Sequence, residues 1–152
     1  MIDAVFDANV LVSAYLSKEN PGGVSSGLLR FVIANAIILY LSVEIIDEAI
    51  DILANSKRLV ARYGYKADQI EQYRIYLLTL ARIVDDPPPT PGIVPRDPDD
   101  DKIIACAVAG DVQYLVSRDH DLLSLKSYAG ITIIAPEPFI QLVREKHGRL
   151  PE

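Results

Sequence analysis

The sequence predicts an α/β fold: a parallel sheet with helices on both of its faces. Three observations lead there. Short apolar runs alternate with longer segments of helical spacing along most of the chain. The runs Ala4-Val5-Phe6 and 37–41 (IILYL) lack the in–out alternation of a strand with one wet face, as strands buried on both sides do. At 152 residues the chain is long enough to remove about two-thirds of its unfolded surface from water around one core. A single domain over residues 1–152 is therefore expected.

The elements follow in order. Ala4-Val5-Phe6 is the first strand, and residues 9–16 and 27–35 have helical character. Residues 37–41 form the second strand. The segments 43–55 and 67–82 show helical spacing, the latter through Ile70, Tyr73, Leu77 and Leu80. Ile83-Val84 is a short strand. Residues 85–99 contain Pro87-Pro88-Pro89 and Pro91-Gly92, which fit neither a helix interior nor a central strand, so they form an external connection. A helix over 99–109, a strand over 114–117, a short helix over 121–125, a strand over 131–134 and a helix over 139–146 complete the chain. In such sheets ligands bind outside the carboxyl ends of the strands.

Composition removes several function classes. Cys106 is the only cysteine, which excludes an intrachain disulfide and a cysteine zinc site and suits a reducing cytoplasm. No apolar run approaches the roughly 18 residues of a membrane span, and Met1-Ile2-Asp3 does not open a secretory signal. The net charge of −6 argues against coating nucleic acid through a broad basic surface. It leaves room for a nuclease, because bound divalent cations reverse the local sign of an acidic pocket.

Four acidic groups fall near the strand ends. Asp7 directly follows the first strand; it is either a carboxylate at the ligand edge or a cap for the next helix, and Asn9 divides similarly between capping and support. On the 43–55 helix, capped by Ser42, the apolar face runs through Ile45, Ile46, Ala49, Ile50, Ile52 and Leu53. Glu48 lies roughly 40° from its edge, so it leans inward best, with Glu44 on the same side in reserve. In Asp97-Pro98-Asp99-Asp100-Asp101-Lys102, Asp97 is explained as an N-cap before proline. Asp100 shares the face of Ile103, Ile104 and Ala107, where a carboxylate is costly unless paired or bound to a metal. Asp119, after residues 114–117, is a strand-end acid or a cap. Carboxylates crowded together repel unless a cation sits among them, and an all-oxygen set suits a hard ion such as Mg²⁺.

The stretches Phe6-Asp7-Ala8-Asn9-Val10-Leu11-Val12-Ser13, Ser42-Val43-Glu44-Ile45-Ile46-Asp47-Glu48, Asp97-Pro98-Asp99-Asp100-Asp101-Lys102 and Leu115-Val116-Ser117-Arg118-Asp119 together resemble the PIN-domain family. The likeness is to the toxin-like (VapC-like) ribonucleases of prokaryotic toxin–antitoxin pairs. The resemblance implies a five-stranded parallel sheet between helices and a Mg²⁺- or Mn²⁺-dependent endoribonuclease. Carried over by position, the family's acids fall on Asp7, Glu48, Asp100 and Asp119. Asp7, Asp100 and Asp119 would hold the metal, and Glu48 would position it or orient the attacking water. Asn9, Ser117 and Arg118 would support the acids or touch substrate. Ser117 replaces the threonine of many relatives and keeps a hydroxyl. The implied partners are RNA, a cognate antitoxin protein and a second copy of the chain.

Other readings stay open. A processing nuclease that is not a toxin, an enzyme acting on DNA, and a non-catalytic partner-binding module whose acids only cap helices all fit the pattern. A haloacid-dehalogenase-type phosphotransferase fits less well, because its second aspartate would fall where Asn9 stands.

Overall fold

A computed structural model describes residues 1–85 and 98–148, with residues 98–100 as backbone alone. Most of the proline-rich connection expected over 85–99, including the Asp97 cap, lies outside the described residues.

The chain opens with β1 (Ile2–Phe6), α1 (Ala8–Leu16), α2 (Val24–Ile33), β2 (Ile37–Leu41) and α3 (Val43–Asn55). It continues through α4 (Lys57–Tyr63), α5 (Ala67–Leu80) and β3 (Arg82–Ile83). Then come α6 (Pro98–Ala109), β4 (Tyr114–Val116), α7 (His120–Leu125), β5 (Ser127–Tyr128), β6 (Ile131–Ile134) and α8 (Pro136–His147). The strands form one sheet in the order β3-β2-β1-β4-β6-β5, parallel except where β5 meets β6. Helices flank it, and among the described residues none is long and apolar enough to cross a membrane.

The sheet thus has six strands where five were expected. The five parallel ones match the expectation; the sixth, β5, is a two-residue edge strand made by a tight hairpin. Ala129 (φ 50°) and Gly130 (φ 82°) form its loop. Two consecutive left-handed residues give the primed turn whose twist suits a two-residue connection. The helix α4 is also additional. None of its residues is buried, so it carries no apolar stripe to read; its ends are set by Ser56, whose side chain accepts from the Leu59 amide, and by Gly64 in the left-handed conformation.

Central β1 is covered on both faces, with Ala4, Val5 and Phe6 fully buried. Ala4 pairs with Leu39 of β2 and with Tyr114 of β4. The Phe139 ring of α8 meets Phe6 edge-on at 6.2 Å and Tyr114 at 5.2 Å, which fixes α8 on that face. The Tyr73 hydroxyl of α5 donates to the Leu11 carbonyl of α1 at 2.7 Å, so a buried polar group is satisfied where the two helices meet. These contacts hold rigid the edge from which α1, α3, α6 and α7 start.

A left-handed alanine costs about 1 kcal/mol, whereas asparagine tolerates that conformation. Ala129→Asn is expected to raise the urea midpoint, equivalent to about 0.5–1 kcal/mol; a lowered midpoint would mean that the hairpin does not hold this turn.

Candidate active site

Asp7 sits where β1 turns into α1. Its amide donates to the Val116 carbonyl of β4 at 3.1 Å, which brings the ends of the two strands together. Its carboxylate Oδ1 accepts from the Val10 amide at 3.0 Å and so caps α1. The other oxygen, Oδ2, accepts a short hydrogen bond from the Ser117 hydroxyl. The two sequence readings of Asp7 therefore hold together: one oxygen caps, and the other faces the strand ends.

Ser117 is fully buried directly after β4, and its amide donates to the Ile134 carbonyl of β6 at 3.0 Å. While its hydroxyl donates to Asp7, its Oγ accepts the Asp119 amide at 2.9 Å. Asp119 in turn caps α7 by accepting from the Asp121 amide at 2.8 Å. Its Oδ2 accepts no hydrogen bond among the described residues. One serine thus sets the positions of both acids.

The electrostatics follow from this burial. Desolvation raises the pKa of Asp7 above its ordinary value, and the nearby charge of Asp119 pushes it the same way. Hydrogen bonds from Ser117, Val10 and Asn9 oppose the rise without cancelling it. Asn9 itself is exposed and contributes through its backbone. The N-termini of α1, α3 and α7, whose caps are Asp7, Ser42 and Asp119, direct their positive dipole ends to this edge.

The other acids come from α3 and α6. Lys102 of α6 lies 3.6 Å from Glu44 in the first turn of α3, so α6 passes beside the start of α3. Asp100 belongs to the first turn of α6, but its side chain lies outside the described residues. Glu48 is exposed rather than leaning into the core; it lines an open cleft of about 470 Å³ with Glu44, Asp47, Asp51, Ile52 and Lys102. Among the described residues no three acidic, histidine or cysteine side chains gather to hold a metal ion. Asp7 and Asp119 are the described pair. Their chemistry nonetheless fits a hard cation: oxygen donors only, one of them buried, with the charge of Asp119 adding to the cost of ionising Asp7.

Two partners were not legible in the sequence. Arg118 forms a double ion pair with Glu137 of α8, at 2.7 Å through Nη1 and 2.5 Å through Nη2. This holds the arginine beside the strand-end loop. Cys106 of α6 shares a hydrogen bond with Ser42, and burial pushes its thiol up to about 12, so it is no nucleophile at neutral pH.

The PIN domain family model matches residues 3–121. The chain belongs to the PIN domain family. PIN domains are generally nucleases, and such nucleases typically use divalent metal ions. The match takes in Asp7, Glu48, Asp100 and Asp119 and the serine that bonds both Asp7 and Asp119. Among solved structures, PAE2754 from Pyrobaculum aerophilum superposes with a TM-score of 0.59 at 17% identity, over 95% of this chain and 90% of that one. At that identity the likeness concerns the fold. No curated protein matches the chain.

In the metal-free protein the raised pKa means that folded Asp7 holds its proton more tightly than unfolded Asp7. The cost of its charge is absent below the unfolded pKa and fully present above the folded one. Asp7→Asn is therefore expected to unfold at an equal or higher urea concentration at pH 7, with the gain shrinking as the pH enters the carboxylate range. A variant clearly less stable at neutral pH would contradict this account.

Proposed function

We propose that the chain is a divalent-metal-dependent endoribonuclease hydrolysing RNA phosphodiester bonds. The observation that carries the reading is the Asp7–Ser117–Asp119 arrangement: two carboxylates from different strand ends, oriented by one buried hydroxyl. Asp7, Asp100 and Asp119 would hold Mg²⁺ or Mn²⁺. The ion supplies Lewis-acid stabilisation of the charge that builds on the phosphoryl oxygens.

The chain's own residues do the rest. Ser117 keeps Asp7 Oδ2 aimed and restrains Asp119 through its amide. Asn9 steadies Asp7 through the backbone of the first α1 turn. Glu48, carried on the neighbouring helix, would help to position the metal or orient the attacking water. Arg118, anchored by Glu137, offers its guanidinium edge to the phosphate backbone. In-line attack on phosphorus leaves a 5′-phosphate and a 3′-hydroxyl. The preference for RNA, the toxin role with a cognate antitoxin protein, and a homodimer are supported by the motif resemblance.

The test is incubation of a mixed-sequence RNA with the protein in Mg²⁺, in Mn²⁺ and in EDTA. Cleavage is expected only with metal and is expected to vanish in Asp7→Asn, Asp100→Asn and Asp119→Asn. Ser117→Ala should lower metal affinity or activity by roughly 10- to 100-fold, as loss of an outer hydrogen bond to a ligand does. Cleavage that survives EDTA, or no ion binding by calorimetry, would overturn the reading.

A further inference from the structure

Away from the strand-end acids, the far half of α1 borders a cavity of about 410 Å³ between α1, α2 and α5. A second cavity, of about 210 Å³, shares Tyr15, Lys18 and Gln69 with it and reaches Tyr63 at the end of α4. The two form one groove. Its floor is a run of tyrosine rings: Tyr65 to Tyr15 at 5.7 Å, Tyr15 to Tyr73 at 4.7 Å, and Tyr73 to Tyr76, stacked at 6.3 Å and 25°. Tyr76 and Tyr63 are 38% and 44% exposed, so each keeps ring surface open to an incoming partner.

The charge is unusual for a chain of net charge −6. Lys18 and Arg30 line the larger cavity, and neither pairs with an acid among the described residues. Lys18 Nζ lies 3.7 Å from the Tyr15 ring centroid, and Arg62 stacks on Tyr63 at 5.4 Å. Among the described residues Glu19 is the one acid on the groove's walls. Gln69 and Gln72 add side-chain amides that both donate and accept. Open aromatic faces beside cations are what single-stranded nucleic acid needs: bases stack, and cations follow the phosphates. An apolar helix would use the rings but leave the two cations without a counter-charge.

We propose that this groove binds single-stranded RNA, gripping nucleotides that flank the scissile bond. The proposal rests on the nuclease reading for its substrate but not for its binding chemistry. Asp7 caps one end of α1 and the groove starts at the other, about 13 Å away along the helix. Nucleotides held in the groove would thus lie beyond those at the acids, off the far end of α1.

The test is equilibrium binding of a fluorescein-labelled, mixed-sequence 15-nucleotide RNA to the full chain carrying Asp119→Asn, in EDTA, where no cleavage occurs. Adding Tyr76→Ala or Tyr63→Ala is expected to weaken binding roughly 10-fold each, in line with the loss of one stacked base. Tyr76→Phe should bind like the parent. Lys18→Ala should flatten the slope of log affinity against log salt by about 0.7, the share of one phosphate contact on a single strand. Unchanged affinity in both tyrosine-to-alanine variants, or equal loss in Tyr76→Phe, would overturn the proposal. So would displacement of the RNA by an acidic amphipathic peptide that binds more tightly. Groove-dependent binding without metal-dependent cleavage would sink the nuclease reading and leave the groove's binding of single-stranded RNA standing; cleavage with groove-independent binding would do the reverse.

Discussion

The buried hydroxyl of Ser117 is the point on which the site depends. It gives its proton to Asp7 at the end of β1 and takes the amide of Asp119 after β4. Being fully buried, it has no water to fall back on, so both bonds are held. The parallel pairing of β1 with β4 brings the three residues within reach, and the Asp7 amide to the Val116 carbonyl locks that register. A slip of one residue would turn every side chain of the strand to the opposite face.

Around this point the protein sustains an electrostatic conflict. Burial and the second acid both oppose the charge of Asp7, while the amides of α1 and the serine hydroxyl favour it. Helix N-termini directed at the same edge ease the conflict without removing it. Folding alone would be served by neutral caps, since asparagine or serine satisfies an N-terminal amide as well as aspartate does. Carboxylates at both caps are explained when the charge has a use after folding. The groove between α1, α2 and α5 shows the opposite pattern, cations set among aromatic rings.

How much the sequence showed depended on which elements bury a face. The apolar period of α3 predicts residues 43–55, the span the structure gives, because Ile45, Ile46, Ala49 and Leu53 are buried on one side. The buried strands β1, β2, β4 and β6 are equally legible. Helix α4 is not, since none of its residues is fully buried, Leu59 packs only partly against the core, and its ends are set by Ser56 and Gly64. Strand β5 depends on an alanine in a conformation that sequence propensity disfavours. At the site, Asp7 and Asp119 were ambiguous between capping and chemistry because each does cap a helix. The inward lean expected for Glu48 fails because about 40° on a helical wheel is enough for a long side chain to reach solvent beside Lys102. The ion pair of Arg118 with Glu137 joins the loop after β4 to α8, four elements later, a distance that no local pattern encodes.

The bond between Ser117 and Asp7 spans 110 positions of chain. During synthesis, α1, α2, β2 and α3 can gather around β1 while β4 is still inside the ribosome. At that stage Asp7 has no hydroxyl partner and no second strand-end acid beside it. The pair comes into being only after the chain has emerged past Asp119 and β4 has docked against β1. A nascent chain, or one cut short before β4, is thus left with half of the arrangement, and translation itself sets the moment at which the finished pair first exists.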